Sequence, residues 1–167
     1  MPYLPDIKGY KPFYIQTDAD ASAIDTASSF GMVAKSNPYP LLPEPKDVYT
    51  NEWKDEDGDD EYTAKMYYKA FEFDVSFYVK AYSSDSASSE AVLRSQVDSF
   101  FAKVRSGEFK TYDSYTGVGY KKVRYAGYKE ESFRRRGGWT RAIFTVTFKV
   151  NSPTARTKYS SGSIIDA

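Results

Sequence analysis

From Phe71 to Lys80 apolar and polar residues alternate without a break. Phe71, Phe73, Val75, Phe77 and Val79 are interleaved with Glu72, Asp74, Ser76, Tyr78 and Lys80. A side-chain period of two belongs to a strand with one buried face. A second run repeats the pattern from Trp139 to Val150, with Ala142, Phe144, Val146, Phe148 and Val150 inward and Arg141, Thr145, Thr147 and Lys149 outward. Two such strands each leave an apolar face that must be covered by another layer. Upstream of Phe71 the residues Ala64, Met66, Tyr68 and Ala70 sit on the opposite parity, so a β-bulge near Ala70-Phe71 is expected.

The covering layer is legible between the two runs. Leu93, Val97, Phe100, Phe101 and Val104 fall on one helical stripe and predict a helix over 91–106. The Ser-rich stretch 83–89 is suited to cap it, Glu90 to its first turn, Lys103 and Arg105 to its last, and Gly107 to the C′ position. Further strands are expected over 30–35, 108–113 and 120–128, and Gly137-Gly138 should turn the last hairpin. The fold class is therefore α+β: an antiparallel β-sheet or β-sandwich-like domain with one covering helix and extended arms.

Prolines and small polar residues mark the flanks. Residues 1–29, with Pro2, Pro5 and Pro12, read as an extended N-terminal arm. Residues 30–153 form the single α+β domain, and 154–167 read as a flexible C-terminal tail. Within the domain, Pro38, Pro40, Pro43 and Pro45 forbid helix and central strand. That segment should be extended and exposed, with Tyr39, Leu41 and Leu42 pinned against something.

All 167 residues lack His and Cys. This removes disulfides, a thiolate nucleophile, Cys/His zinc sites and a Ser-His-Asp triad. No apolar run approaches the roughly 20 residues of a membrane span, and Met1 to Pro5 lacks the order of a signal peptide. No membrane partner is expected, and synthesis is expected in the cytoplasm. The net charge is zero but polarised. Residues 1–100 carry 9 Lys+Arg against 18 Asp+Glu, a net of −9, and residues 101–167 carry 14 against 5, a net of +9.

The acidic stretch Asp55 to Glu61 fails as a calcium loop. Position 6 is Asp60 where glycine is required, and position 12 is Met66 where a bidentate Glu is required. No pair of carboxylates is singled out for acid–base work. Arg134, Arg135 and Arg136 beside Trp139 combine charge with an aromatic, a pattern compatible with single-stranded nucleic acid. The neutral chain and the lack of an RNP-type consensus speak against it, so nucleic acid is not an expected partner. Catalytic, cofactor and metal residues are not expected. The 16 Tyr suit a contact surface, because Tyr covers area at low entropic cost. Candidate subunit-interface residues are Tyr39, Leu41, Leu42, Asp57, Asp59, Asp60, Arg134, Arg135 and Arg136.

The order of these features resembles a known family. Gly31-Met32-Val33 leads into Leu41-Leu42-Pro43-Glu44-Pro45-Lys46-Asp47-Val48, then the long strand 71–82, the Ser-rich helix start, and Gly107-Glu108-Phe109. The chain continues through residues 120–128 and an alternating strand ending in Asn151-Ser152-Pro153. Over residues 30–153 this is similar to the N-terminal (belt) domain of siphophage distal tail proteins and to small phage tail-hub proteins. The resemblance implies a β-sandwich-like fold and a homo-oligomeric, hexameric ring at the end of the tail tube, contacting tube and tail-tip proteins. It also implies a place in the virion tail after assembly in the host cytoplasm. The second, carbohydrate-binding-like domain of many members has no counterpart in the pattern. Two alternatives stay open: a tail terminator or tail-completion ring protein, and a stand-alone module for nucleic acid or carbohydrate.

Overall fold

The computed structural model describes residues 11–36, 39–54, 57–62 and 64–167. Pro2 and Pro5 of the expected arm, Pro38, and the acidic pair Asp55-Glu56 lie outside the described residues. In chain order the elements are β1 (Phe13–Thr17), β2 (Ile24–Asp25), α1 (Thr26–Phe30), β3 (Met32–Ser36), β4 (Thr50–Glu52) and β5 (Asp59–Glu61). There follow β6 (Phe71–Tyr82), α2 (Ser86–Val104), β7 (Phe109–Asp113), β8 (Val118–Arg136), β9 (Trp139–Val150), β10 (Arg156–Ser160) and β11 (Ser163–Asp166). The main sheet runs β2-β1-β7-β8-β9-β6-β3, with the β10–β11 hairpin joined to β8, while β4 and β5 pair apart from it.

The two alternating runs pair with each other. β6 and β9 are antiparallel in unbroken register from Phe71↔Val150 to Tyr82↔Trp139. Because both alternate, one shared face buries Phe73, Val75, Phe77, Val79, Ala142, Phe144, Val146 and Phe148. The sheet curls over this face. Phe13 of β1 reaches Phe148 and Phe77 with ring centroids 6.3 and 6.1 Å apart, giving the sandwich-like core. Helix α2 covers the rest through Leu93, Phe100 and Val104, and Phe100 lies 5.6 Å from Phe77 and 5.7 Å from Phe30. Each such side chain contributes about 1.5–3 kcal/mol through its removal from water. The α+β, sandwich-like class holds, with the short α1 added to the major helix.

Several local expectations change. The expected N-terminal arm contributes β1, β2 and most of α1 within its described part: Phe13 and Ile15 are fully buried, and Asp25 and Gly31 cap the short helix at its two ends. Phe13 and Ile15 show the strand period, but the prolines before them masked it. No bulge forms at Ala70-Phe71. β6 begins at Phe71, and the described residues upstream of it are mostly exposed, so their parity has no face to serve. α2 starts five residues early, at Ser86, because Asp85, not a serine, caps it by accepting from Ser88 N at 2.8 Å. Glu90 is therefore outside the first turn, and Gly107 lies beyond the C′ position, since the C-cap is Arg105. Phe101 leaves the core for the edge, packing on Tyr125 at 5.5 Å.

The expected flexible tail is a hairpin. Ser161 and Gly162 both adopt positive φ, 51° and 85°, as a tight hairpin turn requires. Ile164 is buried, and its backbone N–H donates to Gln16 Oε1 at 2.7 Å. Tyr159 stacks on Tyr14 at 4.5 Å, and burial together with that neighbour pushes the Tyr14 hydroxyl up to about 12. Thr157 is buried and donates to Thr111 O at 2.9 Å across Gly119. A Cβ at Gly119 would sit 2.2 Å from Thr157 Oγ1, so only glycine admits β10 here.

Candidate assembly surfaces

The segment between β3 and β6 leaves the main body. Its two legs are zipped at the base: Lys46 N donates to Tyr67 O and Lys69 N to Glu44 O, both at 2.8 Å. Pro45 and Tyr68 form a bridge there, and Lys69 binds Glu44 at 2.9 Å. Further out β4 and β5 pair in the register Thr50↔Glu61, Asn51↔Asp60 and Glu52↔Asp59. This agrees with the hairpin tip expected over 52–61. Trp53 Nε1 donates to Asp60 Oδ2 at 2.9 Å and holds the tip together. The acids at Glu52 and Asp59 stand directly opposite, an arrangement that destabilises an isolated ribbon.

This ribbon exposes apolar side chains. Leu41 is 92% and Leu42 82% accessible, and Tyr49, Trp53, Tyr62, Met66 and Tyr67 are also exposed. Tyr39, by contrast, is half-buried, with its ring 4.7 Å from Phe73 and 5.2 Å from Tyr120. Within one chain, then, Tyr39 is pinned as expected, but Leu41 and Leu42 are not. Asp57, Asp59 and Asp60 are exposed and make no ion pair among the described residues.

At the other end of the chain, β8 and β9 form a long hairpin closed by Gly137-Gly138, with Arg136 opposite Trp139. Gly137 takes φ 55°, which the two-residue turn needs. Two register shifts, at Tyr125/Gly127 and Glu130/Ser132, bend β8 and reset its alternation. They explain why only residues 120–128 read as strand from sequence. β7 pairs with β8 only as far as Val123, so the outer edge of β8 beyond that point carries no strand among the described residues.

The three arginines do not act as one cluster. Arg135 points to α2 and meets Glu90 through a short contact from Nε and a 2.9 Å bond from Nη2, while Arg94 binds the same carboxylate at 2.9 Å. Those two guanidinium groups hold the Glu90 carboxyl down at about 2. Arg134 and Arg136 lie on the opposite face, across from Arg141 and Trp139. Between α2 and the hairpin a groove of about 230 Å³ is lined by Leu93, Val97, Phe133, Ala142 and Phe144, with Arg94 and Arg135 at its rim. A further pair distant in sequence, Lys103 with Asp20 at 2.7 Å, ties the helix C-terminus to the β1–β2 connection. Burial alone would raise the Asp20 carboxyl, but hydrogen bonds from Lys103 and Thr17 outweigh it and hold it low.

Sequence reasoning placed Lys80, Glu90 and Arg141 in strand and helix but did not include them among the interface candidates. Counting back from the two-residue turn places Arg134 opposite Arg141. The pairing of β9 with β6 that adds Lys80 had no local signal. Among the described residues, no three His, Cys, Asp or Glu side chains are grouped to hold a metal, and no helix is long and apolar enough to cross a membrane.

No family model and no curated protein matches the chain. A solved structure does. The chain is similar to SPP1 Dit (gp 19.1), a paradigm of hub adsorption apparatus in phages infecting Gram-positive bacteria, with a TM-score of 0.56 at 15% identity. The match covers 88% of this chain and 52% of that one, so the chain spans about half the length of the protein it resembles. The fold is thus similar to part of a phage distal tail protein, in agreement with the resemblance carried by the order of its sequence motifs.

Proposed function

We propose that the protein is a structural bacteriophage tail component of the distal-tail or tail-hub type. It self-assembles into a ring at the end of the tail tube and works by contact, without catalysis. The observation that carries this reading is the likeness of fold to SPP1 Dit over 88% of the chain. The exposed segment between β3 and β6 supports it, since Leu41, Leu42 and Trp53 leave large apolar side chains uncovered within one chain. Ring closure requires a heterologous contact, one patch of a subunit against a different patch of the next. Its partners are further copies of itself, in a hexameric ring, together with the tail tube and tail-tip proteins, and its place is the virion tail.

Electron microscopy of the purified chain mixed with tail tubes tests the reading. Annular density at the tip-proximal tube end is the expected result. Rings at the head-proximal end would replace it with a tail terminator, and bare tubes beside monomers would overturn it.

A further inference from the structure

On the sheet face away from α2, Arg134 stands directly across from Arg141, and Arg141 directly across from Lys80. Three cations therefore occupy one cross-strand row, in which directly opposite like charges destabilise the sheet. The next row toward the turn holds Arg136, Trp139 and Tyr82. Lys80 Nζ lies 4.7 Å from the Trp139 ring centroid and 5.0 Å from that of Tyr82. Among the described residues Arg134, Arg136 and Arg141 make no ion pair, and Arg141 Nε is buried without a hydrogen-bond partner. The face is a cationic surface with aromatic flanks, matched to an anionic partner that also offers apolar side chains.

The chain itself carries such a surface. Residues 41–62 hold nine Asp+Glu against two Lys+Arg, while residues 121–141 hold two against eight. Among the described residues, Glu52, Asp57, Asp59, Asp60 and Glu61 make no ion pair, so these acids are not neutralised by the basic region of the same chain. Beside those acids Trp53 and Tyr62 are 55% and 65% exposed.

We propose that the cationic face around Arg134, Arg136 and Arg141 receives the acidic β4–β5 ribbon of a second copy. This rests on the ring reading above and names its contact. Ribbon on face is a heterologous pairing, the kind of contact from which a ring of more than two subunits is built when the rotation closes. Arg135 takes no part, because it faces α2 and is held by Glu90.

Sedimentation velocity on the wild type, Arg134→Glu with Arg136→Glu, Asp59→Lys with Asp60→Lys, and Arg135→Glu tests this. Each double variant should weaken self-association by about tenfold or more, as losing close interfacial charge pairs does. An equimolar mixture of the two double variants should restore it, since each then offers the surface the other needs. Arg135→Glu should assemble like the wild type. Where a reversal changes the circular dichroism spectrum, the Arg→Gln pair at 134 and 136 replaces it. Double variants that assemble as tightly as an assembling wild type overturn the contact and leave the ring reading standing; a strictly monomeric wild type overturns both. If the arginine variant assembles normally but no longer binds a labelled oligothymidylate that the wild type binds, the face serves nucleic acid and the proposal fails.

Discussion

The β6–β9 pair and the β4–β5 ribbon are both antiparallel. They are held by different means. β6 and β9 share an apolar face that is buried from Phe73 to Ala81, so their register is set by the core. The ribbon has no such face: all of β5 is exposed, and its tip is held by backbone pairing and the Trp53–Asp60 bond. A one-residue slip in β6 would turn its phenylalanines to solvent, while a slip in the ribbon would move exposed groups to exposed places. One region is complete within a single chain, and the other leaves apolar side chains such as Trp53 and Tyr62 exposed.

The largest effect should come from breaking the complete side. Phe100→Ala opens a cavity against Phe77 and Phe30 and should cost about 3–5 kcal/mol in denaturant unfolding of the isolated chain. A loss under about 1 kcal/mol would show that α2 is not part of the core. Asp85→Ala removes the cap of the same helix and should cost about 1 kcal/mol, measured the same way, while Asp85→Asn should retain most of it.

Glu90→Gln sharpens the comparison by pH. The Glu90 carboxyl is held at about 2 in the fold, against an ordinary value of 4.5. Its contribution is therefore fully present above pH 4.5 and fades as pH falls toward 2. The melting-temperature gap between wild type and Glu90→Gln should be constant near neutrality and close below pH 4.5; an unchanged gap at the acid end would contradict the bridge. The smallest effect on the isolated chain belongs to Leu41→Ser with Leu42→Ser, within about 0.5 kcal/mol for surface positions. The same pair should weaken assembly, and a large loss of monomer stability would show that these leucines serve the fold.

The same contrast explains what the sequence made legible. β6, β9 and the α2 stripe are readable because burial imposes a period on Phe73, Phe77, Phe144, Phe148, Leu93 and Phe100. β8 is readable only over 120–128, since register shifts at Tyr125/Gly127 and Glu130/Ser132 break its alternation. The β10–β11 hairpin hid behind small polar residues, although Ser161-Gly162 is a turn signal and Ile164 an apolar anchor. The arginine run reads as one cluster along the chain, yet strand alternation sends Arg135 to Glu90 and its neighbours to the other face. Lys80 joins them through strand pairing, which local pattern does not encode. For the interface candidates, composition pointed to the ribbon and the hairpin, while which side chains share a face emerged only from the register.

The central claim is that this chain folds alone and assembles through surfaces that its own core leaves uncovered. Sedimentation velocity of the wild type across a concentration series, alone and with tail-tube protein, tests it most directly. The account predicts a faster boundary of one discrete multimer that grows with concentration, strengthens beside the tube protein, and weakens as salt screens the charged contacts. A single monomer boundary at tens of micromolar in both conditions would contradict it.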